Sequence, residues 1–279
     1  MGIISISRGS YSRGKEVAEK LAQKLGYECI SRDILLEASD EFNIPEIKLV
    51  RALHDAPTVL ERFSHGKERF VSYIRSALLQ CVLKDNVVYH GLAGHYLLSD
   101  VPNVLKVRII ADMEDRVEEE MKRENISAEK ALYILKKDDQ ERRKWSLQLF
   151  GTDTWDSRLY DMVLHIKRLT VDDAVELLCT TAQKPVFQTS EKSRQVLENL
   201  ALAARVKIKL VKLDPAINVW SDGGVVNITN INRALAENDK TVVKMKQLAE
   251  SIEGVKDVVF HVFPTQEKHD SINPFHNVG

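Results

Sequence analysis

An uncharged β-branched run, a polar turn framed by glycines and then a helical pattern constrain this chain more than any other feature. Gly2-Ile3-Ile4-Ser5-Ile6-Ser7 carries no charge and suits a strand buried on both faces of a parallel sheet. A polar turn runs from Arg8 to Gly14. Beyond it, Val17, Ala18, Leu21, Ala22 and Leu25 recur at helical spacing, and Gly26 stands where a C-cap belongs. The unit is strand, polar loop, helix, and its continuation in a parallel sheet demands crossovers.

The rest of the chain extends this grammar. The spacing predicts a helix over 68–84, a buried strand over 86–90 ending at Gly91, and another over 104–111. Helices follow at about 113–123, 127–148 and 171–182, with Lys, Arg and Glu on their surfaces. Strands alternating with helices predict an α/β parallel sheet with right-handed crossovers. Residues 183–190 show neither period and contain Pro185, which predicts a linker. A different pattern follows: a helix near 191–204, the alternating Val206-Lys207-Ile208-Lys209-Leu210-Val211, and a hairpin around Asp222-Gly223-Gly224. A helix at 238–252 then ends near Gly254, and a strand over 258–263 stops at Pro264. The expected organisation is a first domain over 1–182, a linker at 183–190, a small α+β domain over 191–264 and a flexible tail over 265–279.

Composition limits the partners. Forty Lys and Arg against 41 Asp and Glu give a net charge of −1, so no overall positive field argues for nucleic acid. The three cysteines, Cys29, Cys81 and Cys179, lie far apart without metal-ligand spacing and read as free thiols of a reducing compartment. No apolar run approaches the roughly 18 residues of a membrane span, and no basic leader with a cleavage site opens the chain. The expectation is a cytoplasmic protein. The Met-Gly start does not make a myristoylation motif, because Ile6 stands where Ser or Thr is needed.

The turn itself carries chemistry. Gly9-Ser10-Tyr11-Ser12-Arg13-Gly14-Lys15 satisfies G-x-x-x-x-G-K between a strand and a helix. Backbone amides of Gly9, Ser10, Ser12, Arg13 and Gly14 at a helix N-terminus can point at phosphate oxygens, the helix dipole favours the anion, and Lys15 can reach the outer phosphates. Glu16 stands where such loops commonly place a Mg²⁺-holding Ser or Thr. By pattern alone, two readings stand: a phosphate-binding loop, or an ordinary polar turn.

The residues Ser7-Arg8, Ser12-Arg13-Gly14-Lys15-Glu16-Val17-Ala18 and Leu21-Ala22 to Leu25-Gly26 resemble the cytidylate kinase-like family, whose loop runs Gly-Ser-Gly-Gly-basic-Glu-Ile-Ala. Glu16 fits that pattern, while Tyr11 and Arg13 replace two glycines. The resemblance spans about residues 1–180. It implies a P-loop parallel sheet flanked by helices, ATP and Mg²⁺ as cofactors, and phosphoryl transfer to a nucleoside monophosphate or other small acceptor. The segment 87–95 and the strand after it resemble the family's second strand and turn and its third strand. His90-Gly91-Leu92-Ala93 occupies the place of Glu-Gly-Arg-Asp, so the pair that reads CMP is absent. Asp139, Arg142, Arg143, Trp145, Gly151, Trp155 and Tyr160-Asp161 resemble the lid and the segment after it. The resemblance implies catalytic roles for Lys15, Arg142 and Asp139 and acceptor binding by Arg32, Arg116 and Arg143. By its residues alone, the Asp139/Arg142 pair also reads as a solvated pair on one helix face. His90 and His95 read as loop residues, with no third ligand spaced for a metal.

Ile217-Asn218-Val219, Asp222-Gly223-Gly224-Val225-Val226-Asn227-Ile228 and Ile252-Glu253-Gly254-Val255-Lys256-Asp257-Val258 resemble a BON domain. That resemblance implies regulation or the binding of a protein or phospholipid partner. Two functional classes follow: an ATP-dependent kinase with a C-terminal interaction module, or a degenerate, non-catalytic nucleotide-binding fold acting as a sensor.

Overall fold

The computed structural model describes residues 2–9, 12–31, 66–91, 93–231 and 239–261. Five parallel strands form one sheet in the order β2-β3-β1-β4-β5. These are β1 (Ile3–Arg8), β2 (Glu28–Ser31), β3 (Val87–His90), β4 (Val104–Ala111) and β5 (Met162–Ile166). Around them lie α1 (Gly14–Leu25), α2 (Gly66–Val82), the single-turn α3 (Gly94–Leu97), α4 (Met113–Glu124), α5 (Ala128–Phe150) and α6 (Val171–Ala182). The long α7 (Glu191–Leu210) leads to β6 (Asn218–Asp222), β7 (Val225–Thr229), α8 (Asp239–Glu250) and β8 (Asp257–Phe260).

The period of two in the central strands divides the core. Ile3, Val87 and Tyr89 point to one face, where α2, the end of α5 and α7 cover them. Ile4, Ile6, Val88 and Val107 point to the other, beneath α1 and α6. Each Leu or Ile buried in this way contributes about 1.5–3 kcal/mol, so β1, with Ile3, Ile4 and Ile6 almost wholly buried, anchors both layers. The odd side of β1 continues as Ser5 and Ser7, both buried. The sheet interior therefore turns polar toward the strands' C-terminal ends.

Two elements differ from the sequence expectation. Residues 206–211 do not form a strand, because α7 runs on to Leu210. Val206 and Leu210 face the core of the smaller sheet, while Ile208 packs with Tyr73 and Val211 on the opposite side. A helix buried on two sides produces an alternation that reads as period two. The strand β5 is additional; it lies at the sheet edge with only Leu164 and Ile166 buried. Residues 185–187 form a 3-10 turn whose Phe187 packs against the α1/α6 layer, and Gln188 donates to the Ala182 carbonyl at 2.6 Å. In the three-stranded sheet, β6 and β7 are antiparallel and β8 runs parallel to β7. Gly223 and Gly224 turn that hairpin with φ of +54° and +96°, as a two-residue loop with both central residues left-handed requires. No described helix is long and apolar enough to cross a membrane. The expected frayed tail lies outside the described residues.

Candidate functional site

Topology sets where a ligand can sit. β1 and β4 are neighbours, yet β1 connects toward β2 and β4 toward β5, so their C-terminal ends flank the point where the chain reverses direction across the sheet. Open α/β sheets bind ligands in the crevice at such a point. A cavity of about 1210 Å³ opens there, walled by the ends of β1, β3 and β4, the first turn of α1 and one face of α5.

The loop between β1 and α1 is closed from within. Gly9 donates its amide to the Ile109 carbonyl at 3.4 Å. The buried Ser12 hydroxyl lies 3.0 Å from Ile109 O and 3.1 Å from Gly9 O, so it ties the loop to β4. Arg13 is the N-cap of α1 with φ +60°, the left-handed conformation for which a glycine is suited. Holding a residue with a Cβ there costs about 1–2 kcal/mol. Its guanidinium reaches Glu119 at 2.9 Å and Glu16 at 3.7 Å. A Cβ on Gly14 would stand 2.7 Å from the Arg8 Cβ, so only glycine lets α1 start against β1. Lys15 is 62% exposed, lines the cavity and lies 3.6 Å from Glu19. Glu16 also pairs with Lys20 at 3.4 Å.

The lid residues separate. Asp139 and Arg142 both line the cavity from α5 but take different partners. Asp139 holds Arg116 of α4 at 2.9 Å, in a pair 12% and 8% exposed. Arg142 donates to the backbone carbonyl of Arg8 at 3.0 Å, joining α5 to the end of β1. Arg143 turns to Asp153 at 2.6 Å and lies over the Trp155 ring at 5.2 Å. Asp139 and Arg142 therefore share the site with Lys15, Arg116 stands behind Asp139, and Arg143 is engaged elsewhere. Ser10 and Arg32 lie outside the described residues.

His90 and His95 are not loop residues: His90 ends β3, His95 lies in α3, and both are buried. Gly94, at the start of α3, lies directly against Ser5 of β1 and Tyr89 of β3, so α3 packs on the sheet and His95 is turned inward. Burial above all, then the Arg108 and Lys106 charges, pushes the His95 imidazole down to about 3, so it is neutral at pH 7. Among the described residues, no group of three or more His, Cys, Asp or Glu could hold a metal ion.

Sequence reasoning missed the cavity floor. Tyr160, just before β5, brings its hydroxyl 3.2 Å from His95 Nε2, 3.3 Å from Ser7 Oγ and 3.3 Å from Arg108 Nη1. Thr154 adds its hydroxyl at 3.1 Å and its carbonyl at 2.9 Å. One signal for this cluster was present: Lys106 and Arg108 stand two apart, on the same side of an otherwise apolar strand.

Comparison with known proteins assigns part of the chain. The sequence profile of the cytidylate kinase-like family matches residues 3–168. No curated protein matches. Among solved structures, the chain is similar to an uncharacterised protein from Eubacterium ventriosum ATCC 27560, at 21% identity and a TM-score of 0.49, over 65% of this chain and 98% of that one. It is also similar to a shikimate kinase from Bacteroides thetaiotaomicron, at 10% identity and a TM-score of 0.40, over 66% and 99%. A dephospho-CoA kinase from Campylobacter jejuni gives 16% identity and a TM-score of 0.32, over 65% and 96%.

Proposed function

The chain belongs to the cytidylate kinase-like family, and from that premise we propose that it transfers a phosphoryl group from ATP to a nucleoside monophosphate or another small acceptor. One observation carries the reading: Gly9, Arg13 and Lys15 of the G-x-x-x-x-G-K motif line a cavity at the chain-reversal point of a five-stranded parallel sheet. The residues present suit a nucleotide's phosphates. The first-turn amides of α1 have no partner within the helix, the helix dipole adds partial positive charge, and Lys15 is exposed beside them. ATP would supply the transferable phosphoryl group. Mg²⁺ is commonly held by one or two carboxylates together with substrate phosphates and water; Glu16 is the carboxylate of that turn.

In this reading Lys15 and the first-turn amides of α1 neutralise the donor, while the Gly9 amide, expected to join them, is taken by the Ile109 carbonyl; Arg142 offers a cation from α5, as phosphoryl transfer requires. Arg116 and Asp139 brace α4 against α5, so their contribution to catalysis is one of position. Arg32 and Arg143 remain proposed acceptor contacts. Residues 191–264 are proposed as a BON-like regulatory or interaction module; the glycine-turned hairpin with a flanking helix and third strand supports this. A protein or phospholipid partner for that module belongs to the same proposal.

The test is ADP formation from ATP and Mg²⁺ against a panel of nucleoside monophosphates and small hydroxylated metabolites, with Lys15→Ala as the blank. Lys15-dependent turnover on an acceptor is expected. A blank rate with every acceptor would overturn transfer and leave the second reading, nucleotide binding without chemistry. That reading draws on Arg13, which holds a glycine conformation with a full side chain, and on the missing Arg-Asp pair in the turn after β3.

A further inference from the structure

We propose that Arg108 anchors an anionic group of a small ligand, a carboxylate or a phosphate monoester, on the floor of the cavity, framed by Tyr160, Thr154 and Ser7. Arg108 sits in the middle of β4, in register with Ser7 near the C-terminal end of β1, and is 8% exposed. It lines both the main cavity and a smaller one of about 280 Å³ that shares Gly9, Asp139 and Trp155 with it.

Among the described residues, its surroundings lack a counter-charge. Nη1 makes two long contacts, 3.3 Å to the Tyr160 hydroxyl and 3.4 Å to the Thr154 hydroxyl. Among the described residues, Nε and Nη2 make no hydrogen bond and no carboxylate lies within 4.0 Å. The Tyr160 ring lies 5.6 Å from the guanidinium carbon. Arg116 shows the contrast: equally buried, it holds Asp139 at 2.9 Å. Buried charges are normally paired, because desolvation costs several kcal/mol per ion. An unpaired guanidinium whose free N–H fork borders a cavity has the donor geometry for a planar carboxylate or a phosphate.

The polar frame has spare capacity. The Tyr160 hydroxyl has one proton and two lone pairs, yet Ser7, His95, Arg108 and both oxygens of Thr154 lie within reach. These contacts cannot all be made at once, so hydroxyl groups are available to turn toward a ligand. Buried His95 adds an Nδ1 without a partner. Arg108 enters the cavity from β4 and Lys15 from α1.

The ligand's role as phosphoryl acceptor rests on the proposed transfer; anion binding at Arg108 does not. The experiment therefore separates them. The full chain is titrated with malonate and separately with ATP and Mg²⁺, by calorimetry and by the fluorescence of Trp145 and Trp155, which line the cavity. The variants are Arg108→Met, Tyr160→Phe and Lys15→Ala. Malonate is expected to bind wild type, at least tenfold more weakly to Arg108→Met and about threefold more weakly to Tyr160→Phe, with Lys15→Ala unchanged. ATP affinity of Arg108→Met is expected within twofold of wild type. Arg108→Met should melt at or above the wild-type temperature without anion, and lose the rise that anion produces. Malonate binding that is absent in wild type, retained in Arg108→Met or lost in Lys15→Ala instead would overturn the proposal, as would an equal loss of ATP affinity in Arg108→Met. Arg108-dependent anion binding without any ATP binding would sustain this site and remove the transfer reading.

Discussion

Removing the Asp139 carboxylate should weaken the fold as well as the activity. Asp139 and Arg116 meet at 2.9 Å with little exposure on either side, and they join α4 to α5 along the cavity wall. Taking away one member of such a pair leaves an uncompensated buried charge and costs about 3–5 kcal/mol, whereas exchanging both for apolar groups of similar volume is often neutral. At about 2–4 °C per kcal/mol for a unit of this size, Asp139→Ala should lower the melting temperature by roughly 6–20 °C. Arg116→Met alone should do the same. The double variant Arg116→Met/Asp139→Leu should recover most of the loss, giving a coupling energy of about 2 kcal/mol or more. Calorimetry and denaturant titration of the four proteins read this directly. An Asp139→Ala melting point within about 2 °C of wild type, with turnover abolished, would refute the bracing role and make the carboxylate catalytic.

Other consequences follow from the loop and the cavity floor. At position 13, φ of +60° favours glycine, so Arg13→Gly should be about 1 kcal/mol more stable than Arg13→Ala, both lacking the exposed pairs to Glu119 and Glu16; equal stabilities by denaturant titration would show that the loop relaxes. His95, held near 3 against 6.5 in the unfolded chain, binds its proton more readily when unfolded. Its contribution to stability is thus intact above about pH 6.5, falls as pH drops toward 3, and amounts to a loss of about 2 kcal/mol between pH 7 and pH 5. His95→Gln should flatten the pH dependence by that amount; an unchanged slope would mean that the folded imidazole already titrates near its ordinary value.

The parts of the fold visible in the sequence are those fixed locally. The first strand, loop and helix declare themselves because an uncharged run, a glycine-framed turn and a period of 3.6 follow one another within 26 residues. The helix over 171–182 is equally legible, being amphipathic and capped by a Thr170/Asp173 box. The strand β5 is not, because an edge strand with two buried residues gives a weak pattern. The alternation at 206–211 misleads because α7 is buried on two sides, a fact of tertiary packing. In the site, Lys15 and the loop are legible through their motif, and Asp139 and Arg142 share a helix face as their spacing requires. That Asp139 answers Arg116 rather than Arg142 depends on how α4 meets α5. Arg108 and Tyr160 are 52 residues apart, and no local pattern joins them.

Binding of ATP and Mg²⁺ by wild type and Lys15→Ala, measured by titration calorimetry beside their melting temperatures, tests the central claim most directly. Lys15 is exposed and pairs only across the surface with Glu19 among the described residues, so its loss should cost no more than about 1 kcal/mol of stability. The account predicts saturable nucleotide binding to wild type that weakens at least tenfold in Lys15→Ala while the two proteins melt alike. Equal affinity in both, or no heat of binding in either, would contradict it.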